Sequence, residues 1–173
     1  MIKNIVRVLP VLCLAGAALP AAAQSAEGSG SITVIRPLTV TQDTPMAFGT
    51  VVRPATSAGN GTVAVAAAAT PARSVTGDVV ALASTSASAA KFTLNGEGGQ
   101  AVSVTVPASF DMASGSDTLT VTTSKDIGAT VTLSAALGSA GTKVFYVGGS
   151  VPITNATASG AYAGTFTVSA AYN

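Results

Sequence analysis

The stretch Gly160-Ala-Tyr-Ala-Gly-Thr-Phe-Thr-Val-Ser-Ala-Ala-Tyr-Asn173 has the alternating pattern of one long β-strand. Its apolar and aromatic residues share one parity: Tyr162, Phe166, Val168, Ala170 and Tyr172. Hydroxyl side chains occupy the other parity, at Thr165, Thr167 and Ser169. Because successive side chains of a strand point to opposite faces, the pattern predicts one face on a core and one in water. Terminal segments stay ordered when they are tied into a sheet, so we expect this strand to have a pairing partner.

The other end of the chain has the features of a secretory signal peptide. A basic start, Met1 to Arg7, precedes a short apolar run, Val8 to Leu19, and a small-residue site that ends at Ala23. A membrane anchor is the alternative, but the apolar run is too short to span a bilayer. We therefore expect a signal peptide over 1–23, a flexible leader over 24–30 and export to the periplasm or the cell surface. Cys13 is removed with the signal peptide, so the mature chain has no cysteine.

Composition narrows the class of protein. Removal of Lys3 and Arg7 changes the formal net charge from +1 to −1, so bulk charge gives no attraction to nucleic acid or anionic lipid. The mature chain of about 150 residues is long enough for one domain with its own core. Only 9% of residues are charged, and Thr, Ser, Ala, Val and Gly dominate. This composition is typical of an all-β exported protein.

Short alternating segments separated by turn residues at intervals of about ten predict a single sandwich domain over 31–173. The first segment, 31–41, carries Ile32, Val34, Leu38 and Val40 on one parity, and Pro37 places it at an edge or divides it. Residues 91–94 and 100–106 are predicted to form a hairpin across the turn 95–99. The fold expected is an immunoglobulin-like antiparallel β-sandwich.

The sequence offers little catalytic chemistry. It contains no histidine, which excludes triads with a histidine base, and the cysteine-free mature chain excludes Cys/His zinc sites. Asp111, Asp117 and Asp126 suggest a calcium site or a glycosidase pair, but their turn contexts favour acids that bond their own backbone. The loop 96–101 matches a loose dinucleotide pattern, yet a strand rather than a helix follows it. We expect no catalytic residue, no metal, no cofactor and no enzymatic activity.

Several segments together carry a family resemblance: Ile32 to Thr41, Phe48-Gly49, Ala90 to Leu94, Gly148-Gly149 and Gly160 to Val168. They resemble a family of small secreted proteins, common in alphaproteobacteria, that is classed as a domain of unknown function. Pro45 to Gly49 and the C-terminal stretch are also similar, more distantly, to chaperone–usher pilins of the spore-coat-protein-U type. That similarity implies a sandwich completed by the N-terminal strand of the next subunit, with Tyr172 at the penultimate aromatic position. Such pilins usually carry a disulfide, which this mature chain lacks.

Two functions follow as hypotheses. The first is a structural subunit of a cell-surface fibre or pilus that acts in cell adhesion, with Ile32, Val34, Leu38 and Val40 as donor strand and the C-terminal strand as acceptor. Its partners would be further copies of the chain, with a periplasmic chaperone and an outer-membrane usher as candidate assembly factors. The second is a monomeric exported sandwich that binds a carbohydrate or protein ligand through its loops.

Overall fold

The structure is a computed structural model that describes residues 24–56, 58–83 and 86–173. The predicted signal peptide lies outside the described residues. About half of the described residues lie in strands, and none of them is helical. The strands are β1 (Thr39–Thr44), β2 (Val51–Val52), β3 (Asn60–Val65), β4 (Arg73–Gly77), β5 (Val80–Ala81), β6 (Ala90–Glu97), β7 (Ala101–Thr105), β8 (Ser109–Ser114), β9 (Asp117–Lys125), β10 (Thr130–Thr132), β11 (Ala140–Thr154) and β12 (Ser169–Tyr172). This confirms the predicted all-β class.

The chain divides into two units, Met1–Thr33 and Val34–Asn173. In the first, the described residues 24–33 have no regular secondary structure and are exposed. The second contains every strand. Among the described residues, no helix is long and apolar enough to cross a membrane.

The long strand β11 organises the larger sheet. Val147 pairs with both Ala90 of β6 and Lys125 of β9, so these two strands flank β11 on opposite edges. Gly149 pairs with both Val65 of β3 and a residue of β9, so β3 follows β6 along the same edge. Strand β1 extends the sheet beyond β6, β4 extends it beyond β3, and β8 extends it beyond β9. All of these pairings are antiparallel.

Two small sheets complete the fold. One is three-stranded with the order β10-β7-β12, and the other is the pair β2-β5. The first buried cluster takes side chains from β6 and β11 of the large sheet and from β7 of the three-stranded sheet, so these sheets pack face to face: Ala90, Phe92, Leu94, Val102, Val104, Leu133, Phe145 and Val147. The second cluster lies on the rest of the large sheet and includes Val79 from the turn between β4 and β5: Val63, Val79, Val121, Val151 and Ile153.

The predicted hairpin between 91–94 and 100–106 is wrong. Strand β6 pairs with β1 on one edge and β11 on the other, whereas β7 pairs with β10 and β12. The intervening turn, with Gly99 at a φ of 71°, carries the chain from one sheet to the other. Alternation along two neighbouring segments is the same for a hairpin and for a crossover between sheets, so the pattern could not separate them. The chain does form a hairpin at β8-β9, across Gly115 and Ser116.

The first predicted strand also begins later than expected. Regular structure starts at Thr39, and residues 31–38 are not part of a strand. Proline lacks the N–H that a ladder needs, so Pro37 accounts for a start beyond it. β1 then lies at an edge of the large sheet, next to β6.

Candidate functional site

The C-terminal segment is a short strand preceded by an extended run, not one long strand. Only Ser169–Tyr172 forms β12, which pairs with β7. Upstream, Ala163 makes a single two-bond bridge to Ala113 of β8, with N···O distances of 2.8 and 3.0 Å. Gly164 passes so close to the Asp111 carbonyl that any side chain there would collide with it. The segment therefore follows the edge of the large sheet before it enters the small one.

The predicted parity holds along this whole segment. All five residues predicted to face inward are half-buried: Tyr162, Phe166, Val168, Ala170 and Tyr172. The three hydroxyl residues of the opposite parity, Thr165, Thr167 and Ser169, are exposed. Alternation thus survives where the backbone pairing is interrupted, because an extended chain keeps its two faces without a ladder.

Phe166 lies at the junction of the two buried clusters. Its ring is 6.0 Å from the Phe92 ring in an edge-on arrangement and 4.8 Å from the Phe110 ring. Phe92 belongs to the first cluster, and Phe110 packs against the second. Contacts of this kind contribute beyond the area they bury. Phe166 therefore ties the C-terminal segment to both halves of the core.

Glu97 is the centre of a buried polar network that sequence reasoning did not predict. Its side chain is 3% exposed and forms an ion pair with Arg36, whose Nη1 is 3.0 Å from Oε2. The Arg36 backbone N–H donates to the same oxygen at 3.2 Å. The Gly138 N–H donates to Oε1, and Arg36 Nη2 donates to the Gly138 carbonyl at 3.1 Å. One carboxylate thus joins β6, the segment before β1 and the loop before β11.

Tyr172 closes the same network from β12. Its hydroxyl accepts a hydrogen bond from the Glu97 N–H at 2.6 Å and donates one to the Arg36 carbonyl at 3.0 Å. Gly96 leaves the space for that hydroxyl, since a β-carbon at position 96 would overlap it. We call Arg36, Glu97, Gly138 and Tyr172 the terminal clasp. It holds both ends of the Val34–Asn173 unit against the β6 turn.

Hydrogen bonding lowers the pKa of Glu97. The largest cause is the Gly138 N–H, and the Arg36 backbone N–H and guanidinium act in the same direction, while burial opposes them. A carboxylate that accepts several N–H bonds is favoured in its ionised form. The clasp therefore holds an ionised glutamate at neutral pH.

The predicted donor residues do not remain together. Leu38 and Val40 are half-buried and pack against the first cluster of their own chain. Ile32 and Val34, in contrast, are 87% and 80% exposed. We call residues 24–35 the N-terminal arm. Of the four predicted residues, the arm contains the two that have no place in the core.

A groove of about 530 Å³, lined by both apolar and polar residues, lies on the part of the large sheet that carries the second buried cluster, which we call its second half. Its lining includes side chains of β3, β8, β9 and β11: Val63, Met112, Leu119, Val151 and Ile153. The segments 46–51 and 157–162 and the side chain of Arg53 complete the lining. Arg53 connects two of these walls, because its Nη1 donates to the Thr157 carbonyl at 2.6 Å. Tyr162, at the start of the C-terminal segment, also lines the groove.

The aspartates singled out in the sequence lie apart in the sheet. Asp111 accepts a hydrogen bond from the Thr120 hydroxyl at 2.6 Å, across the β8-β9 hairpin. Asp126 accepts one from the Tyr146 N–H at 2.8 Å, and Asp117 begins β9. The described residues contain no group of three or more acidic, histidine or cysteine side chains that could hold a metal ion. The segment 96–101 contains Glu97 of the terminal clasp and leads into β7. A strand therefore follows it, where a dinucleotide site would have a helix.

These features define an all-β, sandwich-like domain with an exposed N-terminal arm and an open groove. Comparison with protein-family models assigns the chain to a family. Residues 38–172 match the model described as a domain of unknown function, DUF4402, and the chain belongs to that family. The N-terminal arm precedes the matched range. Neither the search of curated proteins nor the search of solved structures returns a match.

The clasp and the groove are what sequence reasoning missed. Arg36 and Glu97 are 61 positions apart, and Tyr172 is 75 positions beyond Glu97. One local signal was present in the sequence, because Glu97 is a charged residue among the Asn and Gly residues of the predicted turn. Its partners Arg36 and Tyr172 also lie in segments that carry the family resemblances. The groove has no local signal, because its walls come from segments spread between Met46 and Tyr162.

Proposed function

We propose that the protein is a structural subunit of a cell-surface fibre, exported by its signal peptide and assembled by N-terminal strand complementation. The observation that carries this proposal is the N-terminal arm, whose two large aliphatic side chains of one parity are almost fully exposed. An alternating apolar segment that forms no strand pairing within the described residues is suited to add to the sheet of another chain. The pilin resemblance supports the same function.

The hydrophobic effect supplies the driving force for association. Burying an exposed valine or isoleucine side chain contributes about 1.5–3 kcal/mol. Two such side chains, with main-chain hydrogen bonds, can offset the cost of ordering a short arm. The donor is therefore residues 31–35, because Leu38 and Val40 already stabilise their own domain.

The test compares association with stability. We expect the chain from Gln24 onward to form oligomers that grow with concentration in light scattering, and Ile32→Ser/Val34→Ser to remain monomeric. Because both side chains are exposed, the thermal unfolding of the monomer should not change. Ser31→Ala/Thr33→Ala, on the opposite parity, is the matched control and should associate like the wild type.

Equal association of the two double variants would contradict the proposal. Assembly in the cell provides a second reading that does not depend on spontaneous association. With a periplasmic chaperone and an outer-membrane usher co-expressed, the wild type and the Ser31/Thr33 control should reach surface fibres. The Ile32/Val34 variant should accumulate in the periplasm.

The groove favours a second candidate, a monomeric exported sandwich that binds a ligand. A concave site of about 530 Å³ whose lining combines apolar side chains with polar groups is typical of ligand sites. This function predicts a monomer at all concentrations and stabilisation by a carbohydrate or a protein ligand. A thermal-shift screen of the Ile32→Ser/Val34→Ser chain, whose arm cannot compete, separates the two candidates.

A further inference from the structure

We infer that the terminal clasp is an acid-sensitive latch, through which the two ends of the Val34–Asn173 unit open together while the rest of the sandwich stays folded. All four clasp residues belong to that unit, so the latch needs neither a second copy nor a ligand in the groove. Such a latch does more than add global stability, because the release of one end then depends on the other.

The first observation is that one residue holds both ends. Glu97 is almost completely buried, and its carboxylate binds the backbone N–H and the guanidinium of Arg36 near the start of the unit. From the last strand, the Tyr172 hydroxyl bonds both the Glu97 N–H and the Arg36 carbonyl. Each end therefore positions a group that the other end binds. Loss of one member leaves buried partners unsatisfied, so a network of this kind opens cooperatively.

Outside the clasp, both ends are held lightly. Residues 34–37 are exposed and lie in no strand. Strand β12 has four residues and pairs with a single neighbour, β7, among the described strands. Leu38 and Tyr172 pack against the first cluster but stay half-buried. Segments with few buried contacts and short pairings are the first to open in a folded protein.

Acid is the trigger because the closed clasp needs an ionised Glu97. The Gly138 N–H, helped by Arg36, holds the pKa of Glu97 below its usual range, against the effect of burial. When the clasp opens, these bonds are lost and the carboxyl regains its ordinary pKa, so protonation favours the open form. The latch is therefore closed above about pH 4.3 and opens as the pH falls through the folded pKa.

The surroundings of Glu97 contain no second trigger. Among the described residues, the charged or titratable groups that contact it are Arg36 and Tyr172. The neighbouring residues 98–100 and 134–142 carry no charged side chain. Asp43 and Lys91 form a separate ion pair further back along β6.

Opening uncovers a defined surface. Strand β12 covers one edge of β7, and its release leaves that edge with unpaired backbone groups. Leu38, Leu133 and Tyr172 meet over Gly96, so this side of the first cluster would also admit water. The second cluster takes no residue from either end and should stay packed.

Hydrogen exchange of the chain from Gln24 onward, followed by NMR, tests the latch at single amides. The reporters are the N–H groups of Arg36, Glu97 and Asn173, the last of which bonds the Ala101 carbonyl at 3.1 Å. After correction for the intrinsic pH dependence of exchange, their opening should increase together between pH 6 and pH 3. The increase should be severalfold, up to about twentyfold, a limit set by the ordinary pKa of about 4.3.

Two comparisons locate the opening and its trigger. The Val104 N–H bonds the Ala129 carbonyl on the other edge of β7 and should keep its protection. Glu97→Gln should open the reporters about tenfold more at pH 6 and remove their pH dependence. If the pH dependence survives in Glu97→Gln, another carboxylate is the trigger and the inference is overturned. The same holds if Val104 opens together with the reporters, because the acid effect is then global unfolding.

A matched pair of arginines tests the coupling between the ends. Arg36→Gln removes a guanidinium from the first end, and it should raise exchange of the Asn173 N–H at the other end about tenfold. Arg53 is also exposed and donates to a backbone carbonyl, that of Thr157, so Arg53→Gln is the control and should leave Asn173 unchanged.

Coupling between two sites is reciprocal, so Tyr172→Phe should raise exchange of the Arg36 N–H. If Arg36→Gln accelerates exchange at Glu97 but not at Asn173, the ends open independently and the inference is wrong. The acid titration of the wild type needs no substitution, so it remains decisive if a variant does not fold.

Discussion

The two halves of the sandwich differ in how their cores are covered. In the first half, β6 and β11 of the large sheet face the complete three-stranded sheet, and the terminal clasp closes the edge. In the second half, the described side chains that pack on β3, β9 and β11 from outside the large sheet are Met46, Phe48, Val51 and Val79, of which only Val51 lies in a strand, and an open groove remains. The core of the first half is covered by a sheet, whereas the core of the second half is covered mainly by irregular segments that leave a groove between them.

A matched pair of leucines tests this difference and should give the largest effect. Leu94 is fully buried in the first half, so Leu94→Ala should lower the free energy of unfolding by about 2–5 kcal/mol. Leu119 is half-buried and lines the groove, and Leu119→Ala should cost about 1–2 kcal/mol because much of its surface already meets solvent. Urea unfolding of both variants measures the difference. Equal losses would mean that the second half is as well packed as the first.

The clasp predicts a pH dependence. The pKa of Glu97 is lowered in the folded state, so the stabilisation it gives is complete above the unfolded value of about 4.3 and is lost as the pH falls through the folded pKa. Glu97→Gln keeps an acceptor for Gly138 but removes the charge that Arg36 meets, so it should lower the melting temperature at pH 7. The difference between wild type and variant should shrink below pH 4, and a constant difference down to pH 2 would contradict this account.

The link between the two halves is tested at Phe166. Because its half-buried ring contacts Phe92 and Phe110, Phe166→Ala should cost about 2 kcal/mol, less than for a fully buried phenylalanine. Thr167→Ala, on the exposed parity, should change stability by less than about 0.5 kcal/mol. Chemical denaturation of the two variants gives the comparison. A loss at Thr167 as large as that at Phe166 would reverse the parity of the C-terminal segment.

The smallest expected effect isolates one hydroxyl of the clasp. Tyr172→Phe keeps the ring but leaves the Glu97 N–H and the Arg36 carbonyl without that partner, which should cost about 1–2 kcal/mol. The aromatic ring at position 172 and the backbone of β12 are kept, so association through the C-terminal strand should not change. A variant that unfolds no more easily than the wild type would show that water replaces the hydroxyl without loss.

Sequence alone determined the features that repeat along the chain. The short alternating segments at intervals of about ten residues predicted an all-β fold, the alternation of residues 162–172 predicted the inward face of its last segment, and both are observed. These succeed because a side chain's face in an extended segment depends only on its own parity. The role of the arm was predictable in part, because Ile32 and Val34 were among the four residues of the predicted donor strand. Parity alone cannot show which of the four pack in the core of their own chain and which stay exposed.

Tertiary structure decided everything that depends on which segments meet. Strand β6 has both edges occupied, so the predicted hairpin became a crossover between sheets. Glu97 became the centre of the clasp because Arg36 and Tyr172 arrive from the two ends of the domain. The groove is walled by segments far apart in the chain, 46–51 and 157–162, in which the structure forms no strand longer than the two residues of β2. Local pattern determines which way a side chain points, whereas long-range pairing determines what lies in front of it.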